Sequence, residues 1–131
     1  MFTPLNKETS KKRLKSIVKE RRALKETYYN FLLDIKKLDN IFSVKIDYEE
    51  NYELLSQIKE YALYNCLLKN IDIDIKKYDI FRYKKVLFFY IKKTIENKEF
   101  IKAKKLLNIC KERGYENNEY FDLLYKLKKF Y

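Results

Sequence analysis

The sequence predicts an all-α fold, and three observations carry that prediction. One glycine and one proline occur in 131 residues, too few for the many turns of an all-β chain. Apolar residues recur at steps of three and four over long stretches, the spacing of a helix face. Cap and stop residues then divide the chain into about five helices. The expected arrangement is one helical domain over residues 1–131, in which a long N-terminal helix packs on antiparallel helical hairpins. A minor alternative is α+β, with a short two-stranded pairing of 41–46 and 71–75, because both runs alternate apolar and polar residues.

The first helix is expected over 4–38. Thr3-Pro4 makes a favourable start, with Ser10 or Thr9 as a second possible cap. Its stripe is Leu14, Ile17, Leu24, Tyr28, Phe31, Ile35 and Leu38. Arg21 fills the missing slot, where a polar residue either fixes a partner's register or snorkels to the edge. Residues 4–22 are too basic all round to be wholly buried and are expected at the surface. Asp39-Asn40 marks a break. Asp47 and Glu50 have capping-box spacing and open a helix over 48–69, with Leu55, Ile58, Ala62 and Cys66 inside and Asn70 as its stop. Asp79 caps a helix over 80–97, whose apolar face includes Ile80, Phe81, Tyr83, Leu87, Tyr90, Ile91 and Ile95. In the helix over 99–113, Phe100, Ala103, Leu106, Leu107 and Cys110 share a side. Gly114 sits where a left-handed C-terminal cap is wanted, and Tyr115 follows as its contact. Asn117 or Asn118 caps a last helix over 118–129, striped by Tyr120, Leu124, Leu127 and Tyr131.

Residues 97–115 resemble the second helix of a tetratricopeptide repeat. Phe100, Ala103, Leu107 and Cys110 carry the likeness, which covers one repeat. The preceding helix departs from the pattern at Ile91 and Thr94, Tyr115 replaces the usual closing proline, and no second copy lies upstream. The resemblance implies protein or peptide binding on a concave helical surface. A generic antiparallel helix pair is the competing reading.

The net charge is +11. Abundant Lys, Ile, Asn, Tyr and Phe are what an A/T-rich genome produces, so the distribution of charge says more than its sum. Residues 1–25 carry +7, residues 26–81 carry −4, residues 82–111 carry +8, and residues 112–131 balance. Codon bias does not explain that segregation. Without histidine, the commonest general base and metal ligand are missing. Cys66 and Cys110 therefore have no cysteine–histidine pairing and read as buried free thiols. Asp72 and Asp74 read as turn or cap carboxylates, and Glu49, Glu50 and Glu53 as an acidic first helical turn. No catalysis, cofactor or metal is expected. The longest apolar run, 86–91, is too short to span a bilayer, and no signal-peptide pattern opens the chain. A cytoplasmic protein without membrane insertion follows.

Two basic groups are the candidate partner surface. Lys11, Lys12, Arg13, Lys15, Lys19, Arg21, Arg22 and Lys25 spread around the first helix. Lys85, Lys92 and Lys93 surround Phe89, placed opposite the main apolar face of its helix. Two functions follow. The first is a small non-catalytic helical module for protein–protein interaction or self-association, an adaptor, regulator or inhibitor. Its abundant tyrosines suit an interface. The second is DNA or RNA binding through the N-terminal helix and the basic face of 82–111, with Phe89 stacking on a base. The internal alternative is that the acidic middle neutralises the basic ends.

Overall fold

The computed structural model describes the backbone of residues 7–130 and the side chains of residues 10–130. The expected Thr3-Pro4 cap and Tyr131 lie outside that range. Six α-helices form among the described residues: α1 (Lys7–Leu33), α2 (Leu38–Phe42), α3 (Tyr52–Leu68), α4 (Lys84–Glu96), α5 (Phe100–Glu112) and α6 (Asn118–Lys128). No strand occurs among them, so the two-stranded alternative fails. The run 41–46 starts in the end of α2 and leaves it through a turn at Ser43, and 71–74 has no regular structure. Val44 and Ile46 are half-buried between exposed neighbours, and Ile73 is buried between exposed Asp72 and Asp74.

Two compact units are distinguishable, one ending at Asn65 and the other beginning at Cys66, so the boundary falls inside α3. In the N-terminal unit α1 packs against α2 and against the 3-10 turn Glu49–Asn51. Ile17, Leu24, Phe31 and Leu38, seven residues apart, are buried. Each contributes roughly 1.5–3 kcal/mol by leaving water. Leu14 is 61% exposed, and Tyr28 and Ile35 are half-buried. The stripe is therefore narrower than its spacing predicts. The helix is already under way at Lys7, which places Thr9 and Ser10 in its interior rather than at a cap.

The expected continuation of the first helix to residue 38 is corrected. Asp34 is extended, and its side chain accepts from the Lys36 amide. A short acid that satisfies a nearby amide gives the backbone an alternative to the helix. A 3-10 turn, Ile35–Lys37, follows before α2. The capping box is corrected too. Tyr48 precedes the 3-10 turn with no side-chain cap, and the Asp47 amide donates to Glu20 of α1. Asp79 does not cap by its side chain either. It is left-handed (φ +49°) before a 3-10 turn, Ile80–Arg82, and its carboxylate pairs with Arg82 at 3.7 Å.

In the C-terminal unit α4, α5 and α6 pack mutually. Short links join them, as expected of antiparallel neighbours. The face of α4 is wider than predicted, since Val86, Phe88 and Thr94 are also buried. Thr94 satisfies its hydroxyl by donating to the Tyr90 carbonyl at 2.9 Å. Ala103, Leu106, Leu107 and Cys110 are buried along α5, and Phe100 stacks on Phe130 at 4.8 Å. Asn117 caps α6 by accepting from the Tyr120 amide at 3.0 Å. Helices α3, α4 and α5 end alike, with a left-handed residue at Asn70, Lys98 and Gly114 (φ +57°, +63° and +75°). Around each, two amides reach back to the last helical turn, as from Tyr115 to the Cys110 carbonyl. This is the Schellman arrangement, and Asn70 and Gly114 stand where the sequence predicts them.

Candidate functional site

α1 has two faces with different chemistry. The inner one is held to the turn before α3 by a network that sequence reasoning missed. Asn51 is fully buried. Its Nδ2 donates to the Ile17 carbonyl (3.0 Å) and to Glu20 Oε1 (2.9 Å). Arg21 Nε donates to Asn51 Oδ1 (3.2 Å). The Glu20 carboxylate also accepts the amides of Asp47 (2.8 Å) and Tyr48 (3.3 Å). Nearby, Arg13 pairs with Glu50 at 2.6 Å and lies over the Tyr48 ring. Arg21 thus resolves between its two alternatives: the side chain stays exposed while Nε fixes the turn. The available signal was Glu20 itself, the only acid between Lys11 and Lys25.

Partial desolvation acts to raise the Glu20 pKa, but the hydrogen bonds from Asn51, Asp47 and Tyr48 outweigh it and hold the group below its ordinary 4.5. Glu50 is lowered as well, first by its own backbone amide and then by Arg13. A carboxylate with a depressed folded pKa stabilises fully above its unfolded value and loses that contribution as pH falls through the folded one. The N-terminal unit should therefore hold constant stability from neutrality to about pH 5 and weaken below it. Urea midpoints read by a tyrosine signal should show this, and Glu20→Gln should flatten the slope.

The outer face is cationic. At 3.6 residues per turn, Lys11, Lys12, Lys15, Lys19, Arg22 and Lys25 fall within an arc of about 140° over about 21 Å of helix. All six are exposed. The buried positions Ile17, Leu24 and Phe31 lie on the opposite side of the helix. Because Glu20 is turned inward, no acid interrupts the face between Lys11 and Lys25; exposed Glu26 follows at its C-terminal end. Local neutralisation by the acidic middle reaches Arg13, through Glu50, but not these six. Exposed Leu14 borders the face, exposed Val18 lies within it, and exposed Tyr29 falls in the same arc beyond Lys25. Of residues 4–22, expected at the surface, the side chains described from Ser10 on are exposed except half-buried Ser16 and Glu20 and buried Ile17.

The second basic group lies in the other unit, and its aromatic is not openly presented. Phe89 is half-buried, with the Lys93 ammonium 5.4 Å from its ring centre. Lys93 also donates to Asn70 Oδ1, while Lys85 and Lys92 are exposed. Nearby, Asn70, Asp72, Tyr90, Lys93, Thr94 and Lys102 line a polar recess of ≈ 320 Å³. Its groups answer one another: a hydrogen bond with Tyr90 raises the Lys102 pKa, with Glu99 and Asp72 adding to it. Asp74 caps a turn by accepting from the Lys76 and Lys77 amides.

Cys66 and Cys110 are free and fully buried. Burial raises both thiols, Cys110 to about 11. The thiolate is the reactive form, so neither should react with a disulfide reagent at pH 8 in the folded chain. Both should react promptly in denaturant, as a thiol titration with and without guanidinium would read. Among the described residues no group of three or more His, Cys, Asp or Glu could hold a metal ion. No helix among them is long and apolar enough to cross a membrane.

A family model described as ECU03_1200 matches residues 1–131, and the chain belongs to that family. It is 25% identical over 128 residues to "Uncharacterized protein ECU03_1200" of Encephalitozoon cuniculi (strain GB-M1), covering 94% of this chain and 91% of that one. No solved structure matches.

Proposed function

We propose that this member of the ECU03_1200 family is a non-catalytic, cytoplasmic interaction module that binds an acidic protein partner through the outer face of α1. One observation carries the reading: six exposed cations share that face, and the only acid among them is turned inward and occupied by Asn51 and two amides. Concentrated like charge favours an oppositely charged partner and steers its approach. Leu14 and Val18, exposed beside the cations, suit a protein surface, since a phosphate backbone offers them no apolar complement. Exposed Tyr29, Tyr61 and Tyr64 add the residue type favoured at interfaces. The tetratricopeptide-like spacing of Phe100, Ala103, Leu107 and Cys110 and the unpaired thiols, which suit a reducing compartment, agree with it.

The test is affinity capture from nuclease-treated extract of the native cell. The natural chain is compared with one carrying Lys15→Glu, Lys19→Glu, Arg22→Glu and Lys25→Glu. An acidic protein retained by the natural chain, released by salt and lost by the reversed one supports the reading. Retention of nucleic acid alone, before nuclease, transfers the face to DNA or RNA. A retained set unchanged by the reversal refutes the assignment of the face.

A further inference from the structure

The C-terminal unit carries a second surface that the reading above does not use. Between the end of α4 and the end of α6 lies an open groove of ≈ 370 Å³, lined by Ile95, Phe130 and four lysines, Lys92, Lys98, Lys126 and Lys129, with Glu96 as the only acid. Its floor is apolar. Phe130 is 57% exposed although it stacks on Phe100, so one ring face is held in place while the side chain still meets solvent. The volume admits one or two large side chains but is at the small end for a drug-sized ligand. Lysines stand at both ends of the lining sequence, on α4 and its following turn and on α6.

Lys98 adds an independent observation. It occupies the left-handed position that closes α4, with φ +63°. The equivalent positions after α3 and α5 hold Asn70 and Gly114, the two residue types that tolerate this conformation. A β-carbon and a long side chain are disfavoured there, and strained residues held in folded proteins concentrate at binding sites. Here the strained backbone places an ammonium at the groove.

We propose that this groove binds an acidic linear peptide, one aromatic anchor seated between Ile95 and Phe130 and its flanking carboxylates paired with Lys98 and the lysines of α4 and α6. The charge ratio of the lining excludes a basic segment, and the apolar floor requires an anchor that nucleic acid phosphates do not provide. This site belongs to the other compact unit and can fail or hold without the face of α1.

The probe is a synthetic peptide with one phenylalanine between two pairs of glutamates, titrated into the full chain and followed by amide NMR shifts. Shifts confined to Lys92–Lys98 and Lys126–Phe130 are expected, with about tenfold weaker binding when the phenylalanine is alanine. Lys98→Gly should separate two effects: the thermal midpoint rises by about 3 °C as the left-handed strain is relieved, while peptide affinity falls about threefold. Reversing the four cations of α1 should leave the set of shifted amides unchanged. Equal binding of the phenylalanine and alanine peptides would overturn the proposal, as would shifts spread over every basic surface. So would unchanged affinity in Lys98→Gly, equal shifts from a thymidine oligonucleotide, or a concentration-dependent dimer that Lys126→Glu dissolves.

Discussion

An Asn51→Leu chain is expected to unfold with about 3 kcal/mol less stability than the natural one, although leucine fills a similar volume. Asn51 is fully buried and makes three hydrogen bonds, one from Arg21 and two to α1 acceptors. Leucine removes all three at once. The Arg21 guanidinium and the Glu20 carboxylate, both within reach of solvent, turn to water instead, so the cost is that of three bonds from a buried residue that tie the turn to α1. Hydrogen exchange localises the effect: the amides of Asp47 and Tyr48, bonded to Glu20, should exchange faster while those of α5 and α6 keep their protection. Asn51→Asp sharpens the same argument through pH. It replaces a donor with a second carboxylate facing Glu20, and two acceptors cannot satisfy each other. The natural chain loses stability as acid protonates Glu20, whose pKa is depressed. The substituted chain should gain it over the range in which the crowded pair takes up its first proton. Parallel urea midpoints between pH 7 and pH 4 should therefore have opposite slopes, and parallel slopes would mean that Asn51 is merely a filler.

The helices were legible because their signals are local. The scarcity of glycine, the stops at Asn70 and Gly114, the cap at Asn117 and the buried side of α5 each depend on residues within one turn of each other. The breaks were harder. Asp34 ends α1 in the middle of a continuing apolar stripe, because a cap formed two residues ahead outweighs a periodicity that runs on to Leu38. The Asp47–Glu50 box has the right spacing, yet Glu20, 27 positions away, takes the Asp47 amide. Its long-range competitor left only one trace in the sequence, an acid isolated within a basic run. For the candidate surface the sequence supplied the cations and not their sorting. Eight basic residues look equivalent along the helix, and only the fold separates Arg13 and Arg21, occupied by Glu50 and Asn51, from the six that face outward. Phe89 shows the reverse: its position opposite the apolar face suggested an exposed ring, and Lys93 lies over it.

Reversing Lys15, Lys19, Arg22 and Lys25 to glutamate should weaken partner binding by about 100-fold or more at low salt and leave stability within about 1 kcal/mol. The two halves of that expectation have different origins. Along the helix, Lys11–Lys15, Lys12–Lys15, Lys15–Lys19, Lys19–Arg22 and Arg22–Lys25 stand three or four positions apart. Each like-charge pair of this kind destabilises a helix by about 0.2–0.5 kcal/mol. Reversing four cations turns two of these pairs attractive and leaves the other three repulsive, now between carboxylates, so the helix gains no more than about 1 kcal/mol. The field presented to a partner, in contrast, changes from cationic to largely anionic, and like charge across an interface costs several kcal/mol. The single change Lys19→Glu isolates the intramolecular part. It makes both of that residue's pairs attractive and should raise stability by about 0.5–1 kcal/mol while reducing affinity. A face serving only solvation has no reason to keep such repulsion, and its substitution would move stability alone. If affinity falls as stability rises at Lys19, and the loss shrinks as salt is added, the repulsion along α1 is part of how the face attracts its partner.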